Sequence, residues 1–341
     1  MSIRDTVTAP RHARILGVGG YRPSRVVTNA ELVERIDSSD EWIRSRSGIV
    51  SRRWASPEET VTEMSVAAAA KAIAQAGISP EQVGCVVVAT VSHFRQTPAV
   101  ATTIAHRLGA NNAAAFDISA ACAGFCHGLA LANDMVRGGS ASHVLVIGVE
   151  RLSDLTDLND RSTAFIFGDG AGAVVVGPSD APGIGQVAWG ADGSQADAIG
   201  QTMGWDELIE GPQQERRIRS DAFFPALRMS GQQVFRWASY SMVPVARQAL
   251  DNAGLAAEDL DAFIPHQANL RITDAMVRAL KLPEHVPVAR DIVEQGNTSA
   301  ASIPLAMERM LQTGQARRGG TALLIGFGAG LSYAAQVVRL P

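Results

Sequence analysis

Cysteine is scarce, with three residues in a chain of 341. That odd, low count excludes a disulfide framework and points to a reducing, cytoplasmic setting. Aromatic residues make up 5% and charged residues 19%. The formal net charge of −4 gives the chain no general attraction to nucleic acid, so a basic partner site would have to be a local patch. No run of about 18 apolar residues occurs, so no membrane span is expected. The opening "MSIRDTVTAPRHARILGVGG" lacks the apolar core of a signal peptide. What is abundant is small and apolar: 46% hydrophobic residues and 32 glycines, enough for a large core of closely packed helices and turns.

The chain repeats itself. Residues 71–90, "KAIAQAGISPEQVGCVVVAT", and 248–267, "QALDNAGLAAEDLDAFIPHQ", share a helical Ala pattern, an Ala-Gly stop, an acidic turn and an apolar strand. Beyond them, "AAAFDISAACAGFCHGLALANDMVRGGSASHVLVIG" and "VPVARDIVEQGNTSAASIPLAMERMLQTGQARRGGTALLIG" both read strand, small-residue turn, helix, strand. Each half closes with a Gly-rich turn and another apolar strand. Strands such as "CVVVAT" are apolar on both faces, the mark of buried, mostly parallel sheets. We therefore expect an α/β chain of two pseudo-symmetric halves, 1–178 and 179–341, whose sheets share central helices in a five-layered αβαβα sandwich. Residues 190–228 have no counterpart in the first half and read as a surface excursion, a candidate site wall.

Two of the three cysteines lie four residues apart in "DISAACAGFCHGLALA". Cys122 falls where a strand gives way to a helix, and a helix N-terminus favours the reactive thiolate. Ala120, Ala121, Ala123 and Gly124 leave room for an incoming acyl group. Cys126 falls one turn inside the helix and Cys85 inside a strand; both read as packing. No neighbouring cluster completes a metal site, and His127 points away from Cys126. Spacing alone leaves Cys122 open between nucleophile and packing residue.

The second half adds "IPHQANLRI", with His266 at a strand end and Asn269 close by. It also adds "GNTSAAS", which places Asn297 near the position that Cys122 holds in the first half. A lone histidine is more often structural. Pseudo-symmetry, however, would bring both turns to the centre, where Cys122, His266 and Asn297 could converge on one pocket.

These motifs carry a resemblance. "DSSDEWIRSRSGI", "FDISAACAGF", "FGDGAGAVVV", "IPHQANLRI", "GNTSAAS" and "GFGAG" recur in the order found in β-ketoacyl-acyl-carrier-protein synthase III of the thiolase superfamily, over nearly the whole chain. The resemblance implies a thiolase-like fold, a homodimer and a catalytic set of Cys122, His266 and Asn297. It also implies a decarboxylative Claisen condensation: an acyl-CoA starter loads Cys122, and malonyl-acyl-carrier protein then loses CO2 and attacks. Acyl-CoA is a substrate, and no cofactor or metal is implied. Elongating synthases of this fold use Cys-His-His, and thiolases add a second catalytic cysteine near the C-terminus, where this chain has "GFGAG". A non-catalytic chain-length-factor-like partner would lack the nucleophile.

By the same resemblance, the backbone N–H groups of Cys122 and Ala329 would hold the acyl oxyanion. Many relatives have glycine at the position of Ala329, which matters only if the turn needs positive φ. Trp42 and Arg161 would sandwich the CoA adenine, and Arg46 and Ser47 would reach its phosphate or ribose. Gly231, Phe235, Asn269 and Phe327 would line the pantetheine tunnel. Arg236, Arg271 and Arg278 would meet the acidic carrier protein. Without the resemblance, Arg46 and Arg278 read as exposed helix charges, and Phe235 and Phe327 as core. Thr97, where some members carry a Phe that closes the acyl pocket across the dimer interface, would leave room for branched or longer starters. Two other readings stay open: transfer of the acyl group from Cys122 to a hydroxyl or amine, and a non-enzymatic carrier-protein-binding module.

Overall fold

The computed structural model describes residues 12–219 and 224–341. The reading of residues 1–11 as free of a leader, and residues 220–223 of the excursion, lie outside that range.

The repeat is visible in the elements. Helix Val61–Ala76 ends at Gly77 with φ +68°, and helix Gly231–Ala253 ends at Gly254 with φ +66°. Each Ala-Gly stop is thus a left-handed cap, followed by a 3₁₀ turn, Pro80–Gln82 or Ala257–Asp259. Both turns are tied at the start by a back-bond, Ser79 N–H to Gln82 Oε1 and Ala256 N–H to Asp259 Oδ2.

The strands follow one plan twice. In the first sheet, β1 (His12–Tyr21), β2 (Cys85–Ala89), β3 (Ala114–Ile118), β4 (Val144–Arg151) and β5 (Asp169–Ser179) are ordered β1-β5-β4-β2-β3. In the second, β6 (Ala188–Gly190), β7 (Ala262–Pro265), β8 (Thr321–Phe327) and β9 (Tyr333–Arg339) are ordered β6-β9-β8-β7. Parallel pairing joins β2 to β3 and β4, and likewise β7 to β8. The counterpart of β3, expected at 286–290, is reduced to a parallel bridge between Phe263 and Val288. Pro287 has no N–H for the ladder, so Phe263 donates to Pro287 O and accepts from Ala289 N–H.

Helices complete five layers. Helix α1 (Asp40–Ser47) lies near one end, while α2 (Val61–Ala76) and α3 (Val100–Leu108) cover the outer face of the first sheet. Met64, Ala68, Ala72 and Ile104 there pack with Val86, Val88 and Leu145. Between the sheets run α4 (Gly124–Arg137) and, further along the chain, α7 (Ser302–Gln312), where Leu129, Val136, Ile303 and Met307 join the inward residues Val87, Val146, Ile264 and Leu324. The second sheet's outer face is covered by α5 (Gly231–Ala253) and α6 (Leu270–Leu280), through Ala238, Met242 and Met276 on Phe263, Leu323 and Ile325. Val86 and Val88 thus face one layer and Val87 the other, which is why "CVVVA" is apolar throughout. The result is a thiolase-like αβαβα sandwich. No described helix is long and apolar enough to cross a membrane.

The excursion forms small pairings, Ile199–Gln201 with Leu227–Met229 and Ile209–Glu210 with Arg217–Ile218.

The halves meet tightly where β4 crosses the turn before α7. A Cβ on Gly148 would stand 2.1 Å from Ala300 O and 2.6 Å from its carbonyl carbon, backbone that has nowhere to move. Gly148→Ala is expected to lower stability by about 1–3 kcal/mol in a denaturant titration. An unchanged midpoint would show that the two turns are not held in this contact.

Candidate active site

Both central helices begin in the same unusual way. A 3₁₀ turn, Ala121–Ala123, leads into α4, and another, Ser299–Ala301, leads into α7. The first residue of each has positive φ, +44° at Ala121 and +47° at Ser299, a costly conformation for residues with a side chain. Cys122 is the second residue of its turn. Its counterpart is therefore Ala300, and Asn297, expected near the position of Cys122, stands three residues ahead of it. The convergence arises because the two turns meet, with Asn297 reaching back.

Cys122, His266 and Asn297 line one cavity of about 810 Å³. Cys122 is half-buried, its side chain touching the cavity and packed on its other sides. A Cβ on Gly328 would stand 2.8 Å from Cys122 Cβ and 3.1 Å from Sγ, so the "GFGAG" turn presses against the thiol. Burial pushes the Cys122 thiol up to about 12, against an interaction with the Ser299 hydroxyl and with the negative charge of Glu150 adding to the rise. Burial thus opposes the thiolate that the helix N-terminus was expected to favour. Cys126 and Cys85 are wholly buried and free, consistent with packing.

His266 follows β7, with its N–H donated to Ile325 O at 2.8 Å and its ring edge-on to Phe327, centroids 5.3 Å apart. It is 2% exposed, and burial lowers its pKa to about 3, leaving a neutral imidazole. Nδ1 is 2.7 Å from Ser302 Oγ, which accepts the Gln267 N–H at 3.3 Å. We assign the Ser302 proton to His266 Nδ1, which leaves Nε2–H as a donor. Gln267 is itself fixed, donating to Pro265 O and Ala289 O and accepting from Ile292 N–H.

Asn297 is oriented by the same logic. Its backbone bridges Phe167, donating to Ile166 O at 2.8 Å and accepting from Gly168 N–H at 3.0 Å. Its Oδ1 accepts the Ser299 N–H at 2.8 Å, which leaves the amide N–H groups as donors. A neutral imidazole and an amide thus supply a donor each to a site lined by a thiol. That pair suits an oxyanion.

Ala329 opens a 3₁₀ turn in which positive φ falls on Gly330 and Leu331, so alanine is accommodated at 329 without strain.

Trp42, Arg46, Gly231, Phe235, Arg236, Asn269, Arg271 and Phe327 all line the same cavity, as does Ile199 from the excursion, which thereby forms part of the site wall, and Met229 just after it. The Arg161 guanidinium lies 4.9 Å from the Trp42 ring centroid and 3.9 Å from Asp37, so an adenine would have to enter between two groups already stacked. Ser47 is placed differently from expectation. It is buried, with its hydroxyl donating to Ile43 O and accepting from Ile49 N–H, so a helix end takes up the group expected to meet CoA. Asn269 caps α6, accepting from Arg271 N–H and donating to Arg46 O. Arg271 stacks on Phe235 at 5.0 Å. Arg278 is exposed further along α6; Asp274, between the two arginines, pairs with Arg290. Thr97 is exposed and outside the lining of this cavity.

Sequence reading missed Ser302, Gln267, Ser299 and Glu150. The signal for Glu150 was present: an acid at the end of "HVLVIGVE", otherwise apolar.

Because burial keeps His266 neutral, its imidazole should not titrate between about pH 5 and 9. Nitrogen-15 spectra of the ring should show a single Nε2–H tautomer across that range. A protonation midpoint within it would contradict the donor assignment.

Comparison with known proteins gives concordant findings. A model of 3-oxoacyl-[acyl-carrier-protein] synthase III matches residues 116–193, and one of its C-terminal part matches 250–340. The chain is 65% identical over 341 residues to β-ketoacyl-[acyl-carrier-protein] synthase III 1 of Streptomyces coelicolor, covering 99% of each. It is 66% identical over 339 residues to β-ketoacyl-[acyl-carrier-protein] synthase III of Streptomyces glaucescens, again covering 99% of each. Among solved structures, the priming β-ketosynthase of the R1128 polyketide biosynthetic pathway superposes with a TM-score of 0.94 at 52% identity, covering 100% of this chain and 99% of that one.

Proposed function

From the premise that the chain belongs to the β-ketoacyl-[acyl-carrier-protein] synthase III family, we propose that Cys122, His266 and Asn297 carry its priming reaction between them. The protein is an acyltransferase that condenses an acyl-CoA starter with malonyl-acyl-carrier protein, giving a β-ketoacyl-acyl-carrier protein in fatty acid or polyketide initiation. Cys122 takes the acyl group as a thioester, dividing one difficult step into two. The malonyl thioester then loses CO2, and its enolate oxygen is held by His266 Nε2–H and an Asn297 amide N–H as charge develops. The carbanion attacks the acyl-Cys122 carbonyl, whose oxygen is received by the N–H groups of Cys122 and Ala329.

The observation that carries this reading is the pair of oriented neutral donors beside the thiol. Transfer of the acyl group to a hydroxyl or amine would need no enolate stabiliser, and a carrier-binding module would need no thiol.

Around this centre, Trp42, Arg46 and Arg161 receive the CoA nucleotide. Asn269, Phe235, Gly231 and Phe327 line the path of the pantetheine arm. Arg236 and Arg271, at the cavity, meet the acidic carrier protein, with Arg278 further out. A homodimer is supported by an aromatic cluster in which exposed Phe94 and Phe224 and half-buried Trp205 meet edge-to-face at 5.4–5.9 Å, with Phe94 three residues before Thr97. In that dimer the small Thr97 leaves space for branched or longer starters. Three free thiols support a cytoplasmic location.

Half-reactions separate the roles. Asn297→Ala and His266→Ala should still acquire an acyl group on Cys122, while discharge by malonyl-acyl-carrier protein slows by ~10²–10³. Discharge at the parent rate, or without CO2 release, would remove the enolate assignment and favour the acyl-transfer alternative.

A further inference from the structure

Acylation of Cys122 needs a proton acceptor, and the residues described so far supply none. The thiol is protonated at rest. His266 Nε2 carries the proton that the enolate requires, and its Nδ1 is occupied by Ser302. Beyond the thiol, on β4, lies Glu150, with no exposed surface. Its Oε2 accepts three hydrogen bonds, from Ser92 Oγ at 2.7 Å, Val91 N–H at 3.1 Å and Thr90 Oγ1 at 3.3 Å. Its Oε1 accepts none among the described residues, and the buried Ser299 hydroxyl also has no partner at hydrogen-bond distance. The Ser299 hydroxyl favours the charged form of both the Cys122 thiol and the Glu150 carboxyl. β4 meets the Ser299–Ala301 turn at Gly148, where an added Cβ would stand 2.1 Å from Ala300 O, so two buried polar atoms without hydrogen-bond partners lie where that strand and that turn come together. Ser299 has a left-handed φ of +47°, and its N–H orients Asn297.

We propose that Glu150, acting through Ser299, is the acceptor of the Cys122 proton during acylation. The inference rests on the reading of Cys122 as the nucleophile. As Sγ attacks the acyl-CoA carbonyl, the thiol proton passes to Ser299 Oγ while the Ser299 hydroxyl proton passes to Glu150 Oε1. The carbonyl's bond to the CoA sulfur breaks with its electron pair on that sulfur. The proton then returns along the same path to the CoA sulfur, which leaves as a thiol. One proton has moved from cysteine to CoA, and the carboxylate is restored. Glu150 is a positioning residue in this scheme, because Ser299 stands between it and the reacting atoms.

Burial raises the Glu150 carboxyl to about 7, against the hydrogen bonds that favour its charge. That places an acceptor near neutrality, where general base catalysis is most effective. The titratable group acting on it from the central turn is Cys122. Its other charged neighbours are engaged elsewhere. Asp169 on β5 accepts from Ser153 and Ala55 N–H, Arg151 pairs with Asp154, and Asp117 on β3 accepts from Val100 and Ala101 N–H.

The test is the pH dependence of the single-turnover acylation rate, read by intact mass with a panel of acyl-CoAs. In the wild type the rate should rise through about pH 7 and then level off. Glu150→Gln and Ser299→Ala should each lower it about 100-fold at neutral pH and replace the plateau with a steady rise toward high pH. The sign is discriminating, because Glu150→Gln also removes a negative charge that raises the thiol's pKa. If Glu150 acted only through that charge, the variant would acylate faster, and the relay would be overturned. A wild-type rate that keeps climbing tenfold per pH unit past neutrality would overturn it too, even if neither variant folds. Variants acylated at the parent rate would remove the relay and leave Cys122 as nucleophile. A wild type never acylated on Cys122 would remove the parent reading itself.

Discussion

Desolvation is the constraint on which this site depends. Placing a thiol, an imidazole and a carboxyl where two sheets and two central helices meet takes the imidazole and the carboxyl out of water and the half-buried thiol partly so, and burial disfavours the charged form of each. The thiol and the carboxyl rise and the imidazole falls. All three are thereby biased toward neutrality in the same small volume, a state in which close packing carries no large charge penalty. In the proposed reaction that neutrality would serve His266, since a neutral imidazole with a fixed tautomer remains a donor as negative charge forms beside it. For Cys122 as the proposed nucleophile it would be an obstacle, and the chemistry would have to supply a route for the proton.

The fold delivers this environment through duplication. Two copies of one strand plan put a strained turn at the start of each central helix, and the copies have diverged at those turns. Cys122 occupies one second position and Ala300 the other. The second half has no thiol at that position and contributes Asn297 and His266 to the same cavity. Gly148 and Gly328 mark where the two halves approach closely enough for such a division of labour.

Much of this was legible in the residues. Doubled Ala-Gly stops and doubly apolar strands pointed to the helix ends and the layers, because helix caps and strand burial are local consequences of residue type. The convergence of Cys122, His266 and Asn297 was legible through the repeat. The register was not: Asn297 matches Ser119 rather than Cys122, and only the paired positive-φ residues reveal it. Pro287 dissolved an expected strand because a missing N–H matters only once its neighbour is known. Ser47 was misplaced because its motif runs into a buried helix end, where the backbone claims its hydroxyl. The rise in the thiol's pKa was hidden for a deeper reason. A helix N-terminus is visible in sequence, whereas the extent of burial that opposes it belongs to the assembled fold.

The central claim is that Cys122 is acylated and then discharged by a decarboxylating partner within this one cavity. The most direct measurement is the intact mass of the protein after exposure to acyl-CoA, and again after adding malonyl-acyl-carrier protein while CO2 is followed. The account predicts a mass gain of one acyl group, absent in Cys122→Ala, and its loss with release of CO2. No mass gain with any acyl-CoA, or a gain retained in Cys122→Ala, would contradict it.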